Sequence, residues 1–210
     1  MKCIKATTCS DAWETSIVEL LYGGSTYYYA STEGPCHEIS DLVIEVNNPD
    51  REPRMSSKYS FAQLTPAVAS LPSQSSRNVD TIYRRLHSWI NGRERIDQVE
   101  LALWQLKRDP TSRRAVLSIW DARRDPSSDH PMTPLSMSVR VKSNRLVSSL
   151  VTRSNDAWVA AAADIAAFAA LHCDLAARLS LEPGALVYHA ISYHLYEFDV
   201  PAARRAFPRE

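Results

Sequence analysis

Residues 146–179 read LVSSLVTRSNDAWVAAAADIAAFAALHCDLAARL, and the change of pattern within this stretch decides the fold. The segment from Leu146 to Thr152 is short and rich in Leu, Val and Thr, which is typical of a strand. The segment from Ala160 to Leu179 is dominated by alanine and other good helix formers, which predicts a buried, closely packed helix. A polar segment, Arg153 to Asp156, joins the two. The stretch therefore predicts a strand, a polar connection and a helix in direct succession.

The chain on either side of this stretch supplies further strands. Met137, Val139 and Val141 come before a polar turn at residues 142–145, so residues 137–152 are predicted to form a hairpin. Residues 115–120 are mostly apolar and predict a buried strand. A last strand is predicted after Pro183-Gly184, over residues 185–196. The second half of the chain is therefore predicted to hold the sheet.

The first half is predicted to be mainly helical. Helices are predicted to begin near Asp11, Thr81 and Asp97, and the second of these includes Trp89 and Ile90. A strand is predicted from Ile39 to Val46. Residues 51–78 are predicted to form loops, with one short helix near Phe61 to Ala69. Helices and strands mix without strict alternation, which favours the α+β class with a mixed sheet packed by helices. A length of 210 residues fits a single domain, residues 1–210.

Composition narrows the classes of function. The chain has 24 Lys and Arg against 24 Asp and Glu, and this neutrality argues against non-specific nucleic-acid binding, which needs a surplus of positive charge. No signal peptide and no membrane-spanning run is visible, so a cytoplasmic location is expected. The four cysteines show no metal-binding or disulfide spacing, so no metal is expected.

Five motifs follow one another between Asp97 and Tyr196. They are Asp97-Gln98, residues 106–114 (LKRDPTSRR), Ser118-Ile119-Trp120-Asp121, Arg153-Ser154-Asn155-Asp156 and His194-Leu195-Tyr196. Together they resemble the thymidylate synthase family, and the first 50 residues are similar to the opening of its cytidylate hydroxymethylase branch. The resemblance implies a thymidylate synthase-like fold, a pyrimidine nucleotide as ligand, and a homodimer that forms sheet to sheet.

Two arginine-containing motifs are predicted to bind phosphate. Arg113 and Arg114 lie in a turn between a helix and a strand, where guanidinium forks can bind a phosphate through two hydrogen bonds each. Without the resemblance they would be a solvated basic turn. The resemblance implies that this pair reaches the nucleotide phosphate of the partner subunit, and that Arg153 and Ser154 hold the same phosphate within the subunit.

The sugar is predicted to contact the last strand. His194 and Tyr196 alternate on one face of that strand, and both can hydrogen-bond a hydroxyl group. The resemblance implies that they bind the 3′-hydroxyl of the sugar. It also implies that Asp156 lies near the pyrimidine and the folate, although an aspartate at this position can equally cap the helix that follows.

Asp164 stands where thymidylate synthases carry an asparagine. An asparagine amide donates and accepts and so matches uracil, whereas an aspartate suits cytosine, which presents an amino donor. The resemblance to cytidylate hydroxymethylases implies the same contact. The alternative is an aspartate that is hydrogen-bonded to a nearby backbone group or arginine. The sequence therefore predicts a cytidylate, CMP or dCMP, as ligand.

The family's cysteine nucleophile, which adds to position 6 of the pyrimidine, has no counterpart at its expected place. Gapless alignment from Arg153 puts Thr133 there, and alignment on the proline puts Leu135 there. Cys173 is predicted to pack in the core. Cys36 is predicted to lie in a polar loop beside His37, a pair that could form a thiolate, but nothing in the sequence places it near the nucleotide. Thr133 remains the candidate for the catalytic position, together with Asp156.

Three further departures argue against ordinary folate-dependent methylation. Gln63 replaces the family's general-base glutamate, and no arginine of the opening phosphate loop is evident near Thr32-Glu33-Gly34. The sequence also ends soon after Tyr196, whereas the family continues to a tail over the folate. Methylenetetrahydrofolate is therefore implied by the resemblance but not by these residues.

Three functions follow from these observations. The first is an enzyme that modifies CMP or dCMP by one-carbon transfer at ring position 5, or by a divergent reaction on the same substrate. The second is an inactive nucleotide-binding subunit that forms a heterodimer with an active paralogue and lends it the two arginines. The third is a ribosyl hydrolase that uses Asp156 or Asp164.

Overall fold

The fold is described from a computed structural model, which describes residues 1–30, 34–59 and 82–209. The strands are β1 (Lys2–Ala6), β2 (Thr26–Ala30), β3 (Gly34–Val46), β4 (Trp89–Asn91), β5 (Glu94–Ile96), β6 (Val116–Ser118), β7 (Pro134–Lys142), β8 (Arg145–Thr152), β9 (Asn155–Asp156) and β10 (Glu182–Tyr196). The helices are α1 (Cys9–Tyr22), α2 (Ile82–His87), α3 (Gln98–Arg108), α4 (Ala161–Arg178) and α5 (Val200–Ala206). The predicted α+β class is confirmed.

The central sheet is mixed, and β10 lies at its middle. The strand order is β1-β3-β10-β8-β7-β6, with β2 added to β3 and β9 added to β10. β10 runs antiparallel to β3 and parallel to β8. Because β8 and β10 are parallel neighbours, the polar residues that follow β8 lie beside the carboxyl end of β10.

Helices α1 and α4 pack on one face of the sheet. Thr8 caps α1 by accepting a hydrogen bond from the Asp11 amide, and the Asp11 carboxylate accepts one from the Thr8 amide. Trp13 is buried at the centre of this layer, where its indole N–H donates to the Ala157 carbonyl at 2.7 Å. Trp158 packs against Trp13 with ring centroids 5.8 Å apart. These contacts tie α1 to the segment that enters α4.

The opposite face of the sheet is only partly covered and mixes apolar with polar side chains, since Glu45 and Ser149 are the direct cross-strand partners of Val187. Val147, Val151 and Val187 project from it and are half-buried, and Ile191 is exposed over 43% of its surface. This face is the surface on which the predicted sheet-to-sheet dimer would form. The dimer itself stays a prediction.

The structure corrects one predicted element and adds five short ones, namely β1, β2, β5, β9 and α5. Trp89 and Ile90 lie in β4, which pairs with β5, and not in a helix, because the chain reverses at Gly92 with φ of 61°. Gly92 and Arg93 form the two-residue connection of this hairpin, and glycine readily takes the positive φ that such a turn needs. Strands β1 and β2, which the sequence pattern missed, lie in the first half and extend the sheet. The helix predicted near Phe61 to Ala69 lies outside the described residues.

None of the helices that the structure describes is long and apolar enough to cross a lipid bilayer.

Candidate functional site

Ser154, His194 and Tyr196 meet at the carboxyl end of β10. The Ser154 hydroxyl lies 3.4 Å from His194 Nδ1, and the rings of His194 and Tyr196 stand edge to face with centroids 4.9 Å apart. β9 holds this arrangement because its two residues pair with Tyr193 and His194 of β10. The fold thus brings together the predicted phosphate-binding serine and the predicted sugar-binding pair, which are separated by 40 residues in the chain.

Arg153 braces the loop that leads into β7. Its Nε donates to the Met132 carbonyl at 3.0 Å and its Nη2 donates to the Pro131 carbonyl at 3.1 Å. Its guanidinium carbon lies 5.6 Å from the centre of the Trp120 ring. These two hydrogen bonds use part of the guanidinium fork, so other N–H groups can still be directed at an anion.

Thr133 ends the same loop. It is half-buried, and its carbonyl accepts a hydrogen bond from the Arg153 amide at 2.9 Å. Thr133, a candidate for the family's nucleophile position, is therefore adjacent to the predicted phosphate-binding arginine. Its hydroxyl has no thiol-like acidity, so its catalytic role stays a prediction.

A buried ion pair beneath this loop fixes its course. Arg85 binds Asp125 through two hydrogen bonds of 3.0 Å each, and it also donates to the Ile119 carbonyl at 2.9 Å. Asp125 accepts in addition from the amides of Asp121 and Met132. Burial alone would raise the pKa of Asp125, but these donors hold that pKa below its usual range. The pair therefore connects α2 to the segment that carries Thr133.

Asp164 lies in the first turn of α4 and is almost fully buried. Asn155 donates to its Oδ2 at 2.6 Å, so the partner that the structure shows among the described residues is an amide side chain. Burial raises the pKa of Asp164 to about 6, and the hydrogen bond from Asn155 opposes this rise. The hydroxyl-bearing rings of Tyr188 and Tyr193 are close enough to Asp164 for its charge to raise their pKa values further. The contact of Asp164 with a base stays a prediction.

Asp156 caps the turn before α4. Its Oδ1 accepts from the amides of Trp158 and Val159, both at 2.9 Å. The N-cap residue of α4 itself, Ala160, makes no side-chain cap. The capping role foreseen for Asp156 thus applies to the preceding turn, and its role near a pyrimidine or folate stays a prediction.

Arg113 and Arg114 are exposed between α3 and β6. β6 is the edge strand, and β7 and β8 separate it from β10. These arginines therefore lie at a different place in the sheet from Ser154 and His194. This placement is compatible with a role in a partner subunit, which stays a prediction.

Cys36 lies in a strand and not in a polar loop. It belongs to β3, is 3% exposed, and is the direct cross-strand partner of Tyr196. The sequence pattern could not reveal this position because the pairing of β3 with β10 joins distant parts of the chain. Gln63 and the segment Thr32-Glu33 lie outside the described residues.

The sequence matches the model of the thymidylate synthase family over residues 13–210. This chain belongs to the thymidylate synthase family. Several proteins named "putative thymidylate synthase" are similar to this chain. One from Methanocaldococcus jannaschii is 26% identical over 99% of this chain and 97% of its own length. One from Methanosarcina acetivorans is 24% identical over 93% and 90%. One from Methanothermobacter marburgensis is 31% identical over 52% and 49%.

For a member of the thymidylate synthase family, the site is unusual in two residues. The sequence places Thr133, or Leu135, at the position of the nucleophile and Asp164 at the position of the asparagine that meets the base, and both assignments stay predictions. Asn155, which holds Asp164, was not singled out by the sequence motifs. A signal existed, since a buried carboxylate needs a donor and Asn155 is the amide nearest to it along the chain.

Proposed function

We propose that this chain binds a cytosine nucleotide, CMP or dCMP, at the carboxyl end of β10 and modifies its base at ring position 5. The observation that carries the proposal is the convergence of Ser154, His194 and Tyr196, which gives a hydroxyl, an imidazole and a phenol on one surface. The imidazole and the phenol match sugar hydroxyl groups, and Ser154 beside Arg153 matches a phosphate.

Recognition of cytosine rests on Asp164. Asn155 occupies its Oδ2, and among the described residues no donor is bonded to its Oδ1. An oxygen acceptor in a buried position suits the exocyclic amino group of cytosine, which uracil lacks. A carboxyl group with a pKa of about 6 also changes its protonation near neutral pH, so binding through it is expected to depend on pH.

The phosphate site is proposed to be completed by a second copy of the chain. Arg113 and Arg114 are exposed at the sheet edge, and the partly covered sheet face carries apolar side chains, Val187 and Ile191 among them. A dimer that covers this face places charged forks near the phosphate held by Arg153 and Ser154. The proposal therefore includes a homodimer whose subunits share their sites.

The thymidylate synthase family uses methylenetetrahydrofolate as one-carbon donor. The fit to ordinary folate-dependent methylation is poor, because Thr133, at the proposed nucleophile position, carries a hydroxyl in place of the thiol that would hold the pyrimidine. No step of the proposal passes through folate. One-carbon transfer and a divergent reaction at the same ring position therefore both remain proposals for the chemistry.

Calorimetric titration of the purified chain with CMP, dCMP, UMP and dUMP tests the binding. We expect at least one cytosine nucleotide to bind more tightly than its uracil counterpart. Mass spectrometry of the nucleotide after incubation, with and without methylenetetrahydrofolate, then tests the reaction. If none of the four nucleotides binds, the proposed function is wrong.

The second candidate is an inactive subunit that pairs with an active paralogue. The observation that favours it is Thr133 at the end of the loop where the family has its thiol. Purification from the native source would then yield a mixed dimer with a cysteine-containing relative. The mixed dimer would modify the nucleotide, whereas this chain alone would bind it unchanged.

A further inference from the structure

Glu38 lies beside the proposed sugar-binding pair, although no sequence motif includes it. In the antiparallel ladder of β3 and β10, Glu38 is the direct partner of His194, and Cys36 is the direct partner of Tyr196. Directly opposed residues of such a pair project from the same face, with Cβ atoms about 4.5–5.5 Å apart. The Glu38 carboxylate is therefore a neighbour of the His194 imidazole on the surface that carries Tyr196.

The Glu38 carboxylate differs from its neighbours in having no donor. It is half-buried, and over residues 1–30, 34–59 and 82–209 the structure shows no hydrogen bond or ion pair to it. Glu45, on the same strand, lies 4.0 Å from the Lys5 ammonium, and Glu197 lies 3.1 Å from His37. A partly buried carboxylate without a donor is stabilised by a ligand that supplies one.

The charges around His194 determine which part of a nucleotide fits there. On β9 the direct partner of His194 is Asp156, and on β3 it is Glu38, so His194 lies between two acidic residues. Negative charge on both sides disfavours a phosphate and favours hydroxyl donors. The sugar edge of a nucleotide therefore fits at His194, and its phosphate fits nearer to Arg153 and Ser154.

We propose that Glu38 accepts a hydrogen bond from the 2′-hydroxyl of a ribose, so that the site takes CMP in preference to dCMP. This inference rests on the proposed function. Ribose presents two adjacent hydroxyl donors, and His194 and Tyr196 serve the one at position 3′. Glu38 is an acceptor next to them and takes the other. With dCMP, the carboxylate faces a CH₂ group and loses its donor.

Titration calorimetry with CMP and dCMP on the full chain tests the inference. The unmodified chain is expected to bind CMP about tenfold or more tightly than dCMP, since hydrogen bonds to charged groups contribute at this level. Glu38→Ala is expected to weaken the binding of CMP by a similar factor and to leave the binding of dCMP nearly unchanged. The ratio of the two affinities is then expected to approach one. Glu38→Gln, which keeps the shape, is expected to fall between.

Glu182→Gln is the control, since it removes an exposed carboxylate from the far end of β10, the strand that carries His194. It is expected to keep the preference of the unmodified chain, and thermal unfolding verifies that each variant is folded. If Glu38→Ala does not fold, Glu38→Gln decides the result. Equal binding of CMP and dCMP by the unmodified chain, or an unchanged preference in the Glu38 variants, overturns this inference alone. If neither nucleotide binds, the proposed function fails with it.

Discussion

At the scale of the residue, Asp164 is the most consequential side chain. Burial raises its pKa from 3.8 to about 6, so the ionised form is less stable in the folded chain than in the unfolded one. Above the folded pKa this costs about 3 kcal/mol, at 1.36 kcal/mol for each pKa unit, and below the unfolded pKa it costs nothing. Asp164→Asn is therefore expected to raise the free energy of unfolding at pH 8 by about 1–3 kcal/mol. That gain is expected to shrink as the pH falls from 6 to 4.

Urea unfolding at a series of pH values measures this difference. Asp174→Asn, an exposed position on the same helix, is the control and is expected to change little at any pH. A gain for Asp164→Asn that is equal at pH 4 and pH 8 would contradict the assigned cause. If Asp164 takes the place of the family's asparagine, as proposed, the same variant is also expected to move nucleotide preference from cytosine towards uracil.

At the scale of the element, the contact between α2 and the loop before β7 depends on the ion pair of Arg85 and Asp125. Their side chains are only 4% and 2% exposed. Removing one partner leaves a buried charge, so Arg85→Ala is expected to lower the free energy of unfolding by about 3–5 kcal/mol. The pKa of Asp125 is held below its usual value, so the pair stabilises the fold above that usual value. This contribution is lost as the pH falls through the folded pKa.

Chemical denaturation of the Arg85→Ala and Arg178→Ala variants measures how much unfolding free energy each one loses. Arg178 forms an ion pair with Glu100 on the surface, and its loss is expected to cost less than about 1 kcal/mol. Because the loop also carries Thr133 and contacts Arg153, weaker nucleotide binding is expected to accompany the lower stability of Arg85→Ala. Equal losses in the two variants would show that the buried pair does not hold the loop.

At the scale of the whole molecule, the uncovered sheet face is proposed to form the dimer and thereby to complete the phosphate site. Val187→Glu places a charge in the middle of that face and is expected to convert a dimer into a monomer in analytical ultracentrifugation. Val18→Glu, at an exposed position on α1, is the control and is expected to leave the dimer intact. A monomeric unmodified chain at micromolar concentration would refute this arrangement.

If the arginines of one subunit contact the phosphate bound by the other, nucleotide binding also tests the dimer. The double variant Arg113→Ala and Arg114→Ala is expected to remain dimeric but to bind CMP more weakly, because two phosphate contacts are lost. A cytidine titration distinguishes the cause, since a ligand without phosphate is expected to bind this variant and the unmodified chain alike.

The sequence predicted best where the signal is local. Three elements follow from the spacing of apolar residues, from turn residues and from helix caps: the hairpin of β7 and β8, the alanine-rich α4 and the helix after Asp97. The structure contains all three. The failures at Trp89 and Ile90 and at β1 and β2 have one cause: short segments carry too little pattern to separate a strand from a helix or a loop. The predicted site residues, including Ser154 and His194, came from motif likeness and not from spacing.

By itself, the sequence determined the α+β class, the family and the order of the long elements in the second half of the chain, and it predicted that Thr133 and Asp164 replace two family residues. These properties depend on residues that are neighbours in the chain or on motifs that keep their order. Only the tertiary structure decided that Cys36 and Glu38 stand opposite Tyr196 and His194, and that Asn155 holds Asp164. Strand register between distant segments is set by the packing of the whole sheet, and no local run of residues encodes it.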